Sequence, residues 1–114
     1  MQTVQTISRE AIQKKLAAGD DFVIVEALGP MYYDEAHLPR ARNLPHDQVD
    51  ELVANVLPDR STFVVVYCSN TSCQNSVVAS RRLAELGYTN VHEYVEGKQD
   101  WIEAGLATEP TDHS

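Results

Sequence analysis

The stretch that organises this chain runs from residue 64 to residue 76 and reads Val64-Val65-Val66-Tyr67-Cys68-Ser69-Asn70-Thr71-Ser72-Cys73-Gln74-Asn75-Ser76. Its first four residues are β-branched or aromatic and uncharged, which is the pattern of a central strand buried on both faces. Small and polar residues follow over 69–75, and residues 76–86 with Gly87 behind them are typical of a helix that ends at a C′ glycine. The stretch therefore predicts strand, loop and helix, and α/β sheets bind ligands at the carboxyl ends of their strands.

Cys68 occupies the junction between the predicted strand and the loop. The backbone N–H groups of such a loop and the N-terminus of the next helix form a site that attracts anions. A field of this kind lowers the pKa of a thiol from about 8.5 into the range ~3.5–7.5, and the thiolate is the nucleophile. Cys68 is therefore a candidate nucleophile. The alternative is a small buried side chain that continues the strand, because free cysteine is among the most buried residue types.

The rest of the chain alternates predicted strands with predicted helices. Strands are indicated over residues 3–7, 22–25 and 90–95, with an extended segment over 37–45. Helices are indicated from Ser8 to Gly19 and over 47–57 and 98–104. This order predicts an α/β domain with a mostly parallel central sheet of about five strands flanked by helices on both faces. We expect one domain over residues 1–107 and a polar, frayed tail over residues 108–114.

Composition and charge narrow the range of partners. The chain has 114 residues, of which 43% are hydrophobic and 23% charged, as expected for one globular domain. A formal net charge of −8 disfavours nucleic acid and anionic membrane as partners. Charged residues interrupt the N-terminal segment, so neither a signal peptide nor a membrane-spanning helix is predicted, and the cytoplasm is the expected location.

Several short motifs follow one another in a characteristic order. They are the acid-bearing strand 23–26, the run 35–41 around His37, Tyr67-Cys68 with its loop, residues 86–91, and Gly97 with Trp101 and Gly105. In this order the chain resembles the single-domain rhodanese-like family, whose members move sulfane sulfur through a cysteine persulfide on an α/β sheet.

The resemblance implies a role for each part of the site. Cys68 would accept sulfur, the loop amides of residues 69–75 would cradle the substrate anion and the persulfide, and the helix that begins near Ser76 would supply its dipole. Glu26, at the tip of the second strand, would support the site. His37 is also a supporting residue, and we expect it to have a structural role by bonding a nearby backbone group at the entrance to a strand. No cofactor is implied, and a small sulfur donor or acceptor, with a partner protein as a further option, is the expected partner.

The loop is longer by about two residues than the short loop of sulfurtransferases, and it contains no lysine or arginine. A thiosulfate dianion would therefore meet only backbone dipoles, and we expect its turnover to be poor. The leading interpretation is a sulfurtransferase or persulfide carrier that passes sulfur from Cys68 to a thiol or cyanide by ping-pong covalent catalysis. The alternative is a catalytically weak binding or redox-regulatory module, which the absent cations favour.

Cys68 and Cys73 form a Cys-x4-Cys pair within the loop. In a reducing compartment two cysteines indicate a chemical role or free thiols more than a structural disulfide. Cys73 could attack a persulfide or sulfenate on Cys68 to give a disulfide. The favoured interpretation is instead that Cys73 only packs or faces solvent, because a disulfide requires a Cα separation of about 4.4–6.8 Å that a cradling loop does not guarantee.

Two other kinds of site find little support in the sequence. The four histidines, His37, His46, His92 and His113, show no paired spacing, so we predict no zinc site. A cysteine phosphatase or arsenate reductase needs an arginine six residues after its nucleophile to hold a tetrahedral dianion. The corresponding positions are Gln74 and Ala79, so neither cysteine begins a Cys-x5-Arg loop.

Overall fold

The computed structural model describes residues 4–110 and arranges them around one five-stranded sheet. The strands are β1 (Gln5–Thr6), β2 (Val23–Glu26), β3 (Arg42–Asn43), β4 (Val64–Tyr67) and β5 (Val91–Tyr94). The helices are α1 (Arg9–Ala18), α2 (Pro30–Glu35), α3 (Val49–Val56), α4 (Asn75–Glu85) and α5 (Gly97–Glu103). The sheet order is β1-β5-β4-β2-β3, and every pairing is parallel. The predicted α/β class and five-stranded parallel sheet are confirmed.

Strand β4 lies at the centre of the sheet and divides the core into two layers. Val64 and Val66 belong to a cluster that includes residues of α3 and α4, whereas Val65 and Tyr67 belong to a cluster that includes residues of α1 and α5. All four β4 side chains are fully buried, because a strand with helices on both faces has no side that meets solvent. The continuous apolar run in the sequence has this physical origin.

The parallel pairings bring the carboxyl ends of three strands to one edge of the sheet. The register places Glu26 of β2 beside Tyr67 of β4, and Tyr67 beside Tyr94 of β5. Cys68 follows β4 at this edge, and the first residues of α4 and α5 come after β4 and β5. Residues that are distant in the chain can therefore meet around Cys68.

The C-terminal tail differs from the predicted fraying over the part that the structure describes. Glu109 forms an antiparallel bridge with His37, and the two backbones exchange N–H···O bonds of 2.9 and 2.8 Å. Trp101 Nε1 also donates to the carbonyl of Ala107 at 2.9 Å. The physical reason is that the backbone at His37 needs a partner, which the tail supplies. Residues 111–114 lie outside the described part of the chain.

The five helices of residues 4–110 have between 6 and 11 residues. None of them is long and apolar enough to cross a bilayer.

Candidate active site

Cys68 is held in place by a hydrogen bond between its backbone and the start of α5. Its side chain is buried at the end of β4, and its carbonyl accepts a 2.8 Å bond from the N–H of Lys98 at the start of α5. The next carbonyl, that of Ser69, accepts from Gln99 N at 2.8 Å. The first turn of α5 therefore uses two of its free N–H groups to fix the beginning of the loop.

Gly97 makes this close approach possible. Its φ of +73° lies in the left-handed region, and a Cβ at this position would stand 2.6 Å from the carbonyl oxygen of Cys68. No side chain fits there without moving the loop or the helix. The glycine singled out in the sequence therefore has a local steric function beneath the reactive thiol.

The loop after Cys68 turns back on itself through Asn70. Ser72 N donates to Asn70 Oδ1 at 3.0 Å, and Cys73 N donates to the carbonyl of Asn70 at 3.1 Å. These two amides belong to the predicted anion cradle, but in this structure they bond to Asn70 and not to the Cys68 sulfur. The turn places Cys73 over Cys68.

Cys68 and Cys73 are joined by a disulfide bond. Their Cα atoms are 6.4 Å apart, which is within the usual range for disulfides. The sequence favoured a Cys73 that only packs or faces solvent, and the structure shows instead that the turn over Asn70 brings both sulfurs together. The structure therefore represents the oxidised form of the site.

Ser76, in the first turn of α4, connects the cysteine to a carboxylate. Its Oγ lies 3.5 Å from Cys68 Sγ and donates to Glu93 Oε2 at 2.7 Å. Ser76 is buried, so it has little access to water as an alternative partner. Glu93 belongs to β5 and, by the alternation along a strand, lies on the same face as Val91, where α4 packs. The sequence analysis missed Glu93, whose signal was a charged residue inside a predicted strand.

Glu26 lies at the tip of β2, fully buried, and contacts Tyr67 and Lys98. Tyr67 donates its hydroxyl hydrogen to Glu26 Oε1 at 2.7 Å and accepts from Leu38 N at 3.1 Å. Burial raises the pKa of Tyr67, and the neighbouring Glu26 carboxylate raises it further, so the phenol stays protonated and donates. Glu26 Oε2 is buried without a hydrogen-bond partner among the described residues.

Lys98 is a cation near the loop that the sequence analysis also missed. Its ammonium lies 3.0 Å from Glu26 Oε1 and donates to the carbonyls of Ala36 at 2.6 Å and Tyr32 at 3.1 Å. An ammonium has three N–H donors, and these three partners occupy all of them. Lys98 therefore brings positive charge to the site, but its donors are already satisfied by the protein.

A cleft of about 380 Å³ adjoins the beginning of the loop. Its walls come from α2, α5 and the loop, and the residues that line it are Tyr32, Glu35, Ala36, Ser69, Asn70, Lys98, Gln99, Ile102 and Glu103. Two carboxylates and two largely exposed apolar side chains, Tyr32 and Ile102, border it. Of the described residues that line the cleft, Lys98 has the only positive charge.

His37, the predicted supporting histidine, contacts the backbone and the ring of Tyr33 in α2. His37 Nδ1 is 2.9 Å from the carbonyl of Tyr33, and its ring stacks on the Tyr33 ring with 4.0 Å between centroids. These contacts hold α2 to the segment before β3. Within residues 4–110 no group of three or more His, Cys, Asp or Glu side chains is arranged to hold a metal ion, and His113 lies outside this range.

The chain matches a known protein family over most of its length. The family model described as "Rhodanese-like domain" matches residues 8–104. A thiosulfate sulfurtransferase of Escherichia coli, PspE, is 37% identical over 62 residues, which are 54% of this chain and 58% of that protein. The similarity therefore spans little more than half of each protein.

Solved structures show the same architecture. The BH2092 protein from Bacillus halodurans superimposes with a TM-score of 0.86 at 21% identity, covering 94% of this chain and 77% of that one. A structure described as rhodanese with anions, from Escherichia coli, superimposes with a TM-score of 0.64 at 28% identity, covering 78% of this chain and 98% of the other. At 21% identity, the similarity to the BH2092 protein shows a common fold and nothing more.

Proposed function

This chain belongs to the rhodanese-like domain family, and from that premise we propose that it is a sulfurtransferase or persulfide carrier with Cys68 as its nucleophile. The Cys68 thiolate attacks the outer sulfur of a sulfane-sulfur donor, keeps that sulfur as a persulfide and passes it to a thiol or cyanide. One observation carries the proposal: Cys68 lies at the carboxyl end of the central strand, against the first turn of α4, and directly precedes Ser69 and Asn70, which line the cleft.

The charges around the cleft bear on the choice of donor. Glu35 and Glu103 border it, and the Lys98 ammonium is fully engaged by Glu26 and two carbonyls. A dianion such as thiosulfate gains no unpaired cation here, so we infer that thiosulfate is a poorer donor than persulfides carried on a small thiol or a protein. Cytoplasmic residence stays a prediction.

The experiment that tests the proposal uses single-cysteine proteins. The chain contains two cysteines, so Cys73→Ser leaves Cys68 alone and Cys68→Ser leaves Cys73 alone. Each reduced protein is mixed under nitrogen with thiosulfate or inorganic polysulfide, and its mass is measured before and after addition of a reductant. We expect the Cys73→Ser protein to gain one sulfur from polysulfide and lose it to the reductant, and the Cys68→Ser protein to gain none.

The opposite outcome would support the alternative function. Two observations favour a catalytically weak binding or redox-regulatory module. Lys98 is already paired with Glu26, and the Cys68 sulfur is bonded to Cys73 in a disulfide. If the reduced Cys73→Ser protein took up no sulfur from polysulfide while it stayed folded, the sulfurtransferase proposal would be wrong.

A further inference from the structure

Cys73 has a position that the transfer reaction of Cys68 does not require. A persulfide carrier needs one thiol, yet the turn over Asn70 places a second sulfur within bonding distance of the first. Two hydrogen bonds hold Cys73 in this place: Ser72 N donates to the side chain of Asn70, and Cys73 N donates to its carbonyl. Both bonds engage amides that would otherwise be free to bind an anion. The loop is thus arranged for a reaction between its two sulfurs.

Burial differs between the two cysteines and gives them different partners. Cys68 is only 1% exposed, whereas Cys73 is half-buried. A molecule in solution therefore reaches the sulfur of Cys73 more readily than that of Cys68. In the oxidised protein an attacking thiol would meet Cys73 and release Cys68 as the leaving group.

We propose that Cys73 is a resolving residue that converts the Cys68 persulfide into hydrogen sulfide and the Cys68–Cys73 disulfide, so that the chain works with a dithiol reductant as a sulfide-releasing persulfide reductase. This inference rests on the proposed function, because it begins from sulfur loaded on Cys68. It goes beyond that function by naming the product and the class of the second substrate.

The resolving step balances in atoms and electrons. The Cys73 thiolate attacks Cys68 Sγ, the bond between the two cysteine sulfurs forms, and the bond from Cys68 Sγ to the outer sulfur breaks. The outer sulfur leaves with the electron pair as hydrosulfide and takes a proton from solvent. The two cysteines are thereby oxidised and the outer sulfur is reduced.

A dithiol in solution restores the reduced protein. Its first thiolate attacks Cys73 Sγ and expels the Cys68 thiolate, and its second thiolate then displaces Cys73. The reductant leaves as its own disulfide, which returns two electrons to the protein. The bond seen in the structure is the product of the resolving step.

Proximity favours resolution over transfer to an external acceptor. The two cysteines are five residues apart, and short flexible connections give effective concentrations on the order of mM. An acceptor thiol at lower concentration loses this competition once the Cys73 thiolate is formed. The same reasoning predicts that removal of Cys73 converts the protein into a stable persulfide carrier.

The test follows one labelled sulfur through a single turnover. Reduced wild-type and Cys73→Ser proteins are mixed under nitrogen with one equivalent of ³⁵S-labelled inorganic polysulfide and separated from small molecules by gel filtration. We expect the Cys73→Ser protein to retain about one labelled sulfur per chain. The wild-type protein should retain less than about a tenth of that label, release about one more sulfide per chain and yield a peptide that contains the Cys68–Cys73 disulfide.

The outcomes separate the two proposals. A wild-type protein that holds labelled persulfide as long as the Cys73→Ser protein does would overturn the resolving role and leave the transfer function standing. A folded Cys73→Ser protein that takes up no label would refute the transfer function itself. Retained folding is checked by the far-ultraviolet circular dichroism of both proteins.

Discussion

The hydroxyl hydrogen of Ser76 is not available to the neighbouring Cys68 sulfur. Ser76 has one hydroxyl hydrogen, and it is donated to Glu93 Oε2 at 2.7 Å, so Oγ presents only lone pairs to Cys68 Sγ at 3.5 Å. A neutral thiol can donate to this oxygen, but a thiolate finds no hydrogen-bond donor at Ser76 Oγ. The Glu93 carboxylate lies one hydrogen bond beyond that oxygen. Glu93 therefore takes the one hydrogen that Ser76 could otherwise donate to a Cys68 thiolate.

Removing that carboxylate should activate the thiol. In the reduced Cys73→Ser background, Glu93→Gln supplies an amide that donates to Ser76 Oγ and frees the hydroxyl hydrogen for Cys68. We expect iodoacetamide to alkylate Cys68 roughly three- to tenfold faster at neutral pH. Glu51→Gln on α3 makes the same change in net charge and should leave the rate unaltered. Equal rates in the Glu93→Gln protein and its parent would contradict the role of Glu93.

At the scale of elements, the site is a junction between β4, its loop and the two helices α4 and α5. The N-terminus of α5 binds the carbonyls of Cys68 and Ser69, and Gly97 allows the backbones to touch. The side chain of Lys98 then reaches from α5 to the tip of β2. The position of the thiol thus depends on how closely α5 can approach the end of β4.

Gly97, in α5, and Gly105, just after it, allow two effects of a substitution to be measured separately. One is the strain of a positive φ, and the other is the clash of a Cβ with neighbouring atoms. Gly97 and Gly105 both have positive φ, +73° and +80°, but only at Gly97 would a Cβ meet other atoms. Gly105→Ala should lower the free energy of unfolding by about 1–2 kcal/mol, the cost of a left-handed alanine. Gly97→Ala should cost roughly 1–3 kcal/mol more, because Cys68 must also move.

The measurement is urea denaturation of the reduced proteins, with sulfur uptake from polysulfide as a second readout. We expect Gly97→Ala alone to slow sulfur uptake, since Gly105 has no atom of the loop within reach of its Cβ. Equal unfolding midpoints for the two variants would show that the close approach at Cys68 contributes nothing to stability.

At the scale of the whole molecule, the distribution of charge disfavours the binding of a dianion. The chain has a net charge of −8, and Lys98, the one cation among the described residues that line the cleft, is engaged by Glu26 and two carbonyls. Neither long-range attraction nor an unpaired cation helps a dianion to bind. A missing charge-assisted contact of about 1.5–3 kcal/mol corresponds to roughly a ten- to a hundredfold loss in efficiency.

A cation placed in the loop should restore part of this loss. Thr71 is exposed, so in the Cys73→Ser background Thr71→Arg should raise kcat/KM for thiosulfate, with cyanide as acceptor, by about tenfold in low salt. The gain should fall as salt is raised, because exposed charges are screened within about 10 Å at 0.1 M ionic strength. Thr71→Gln, which is polar but neutral, is the control. A gain that persisted at high salt, or that glutamine reproduced, would exclude an electrostatic cause.

The sequence by itself determined the features that depend on local physics. The uncharged β-branched run of β4 indicated a strand buried on both faces. Ser8 marked the start of α1, which it caps through its Oγ, and Gly19 marked the end of that helix, where its φ is +70°. The position of Cys68 between strand and helix followed from the same patterns, because periodicity and caps involve neighbours within a few residues.

Only the tertiary structure decided which distant residues meet at the thiol. The strand order puts β5 beside β4 and so brings Glu93 to Ser76, and it puts β2 on the other side of β4, where Glu26 engages Lys98. The turn over Asn70 decided that the two cysteines bond. Strand order and loop closure depend on packing between segments far apart in the chain, so no short window of sequence contains them.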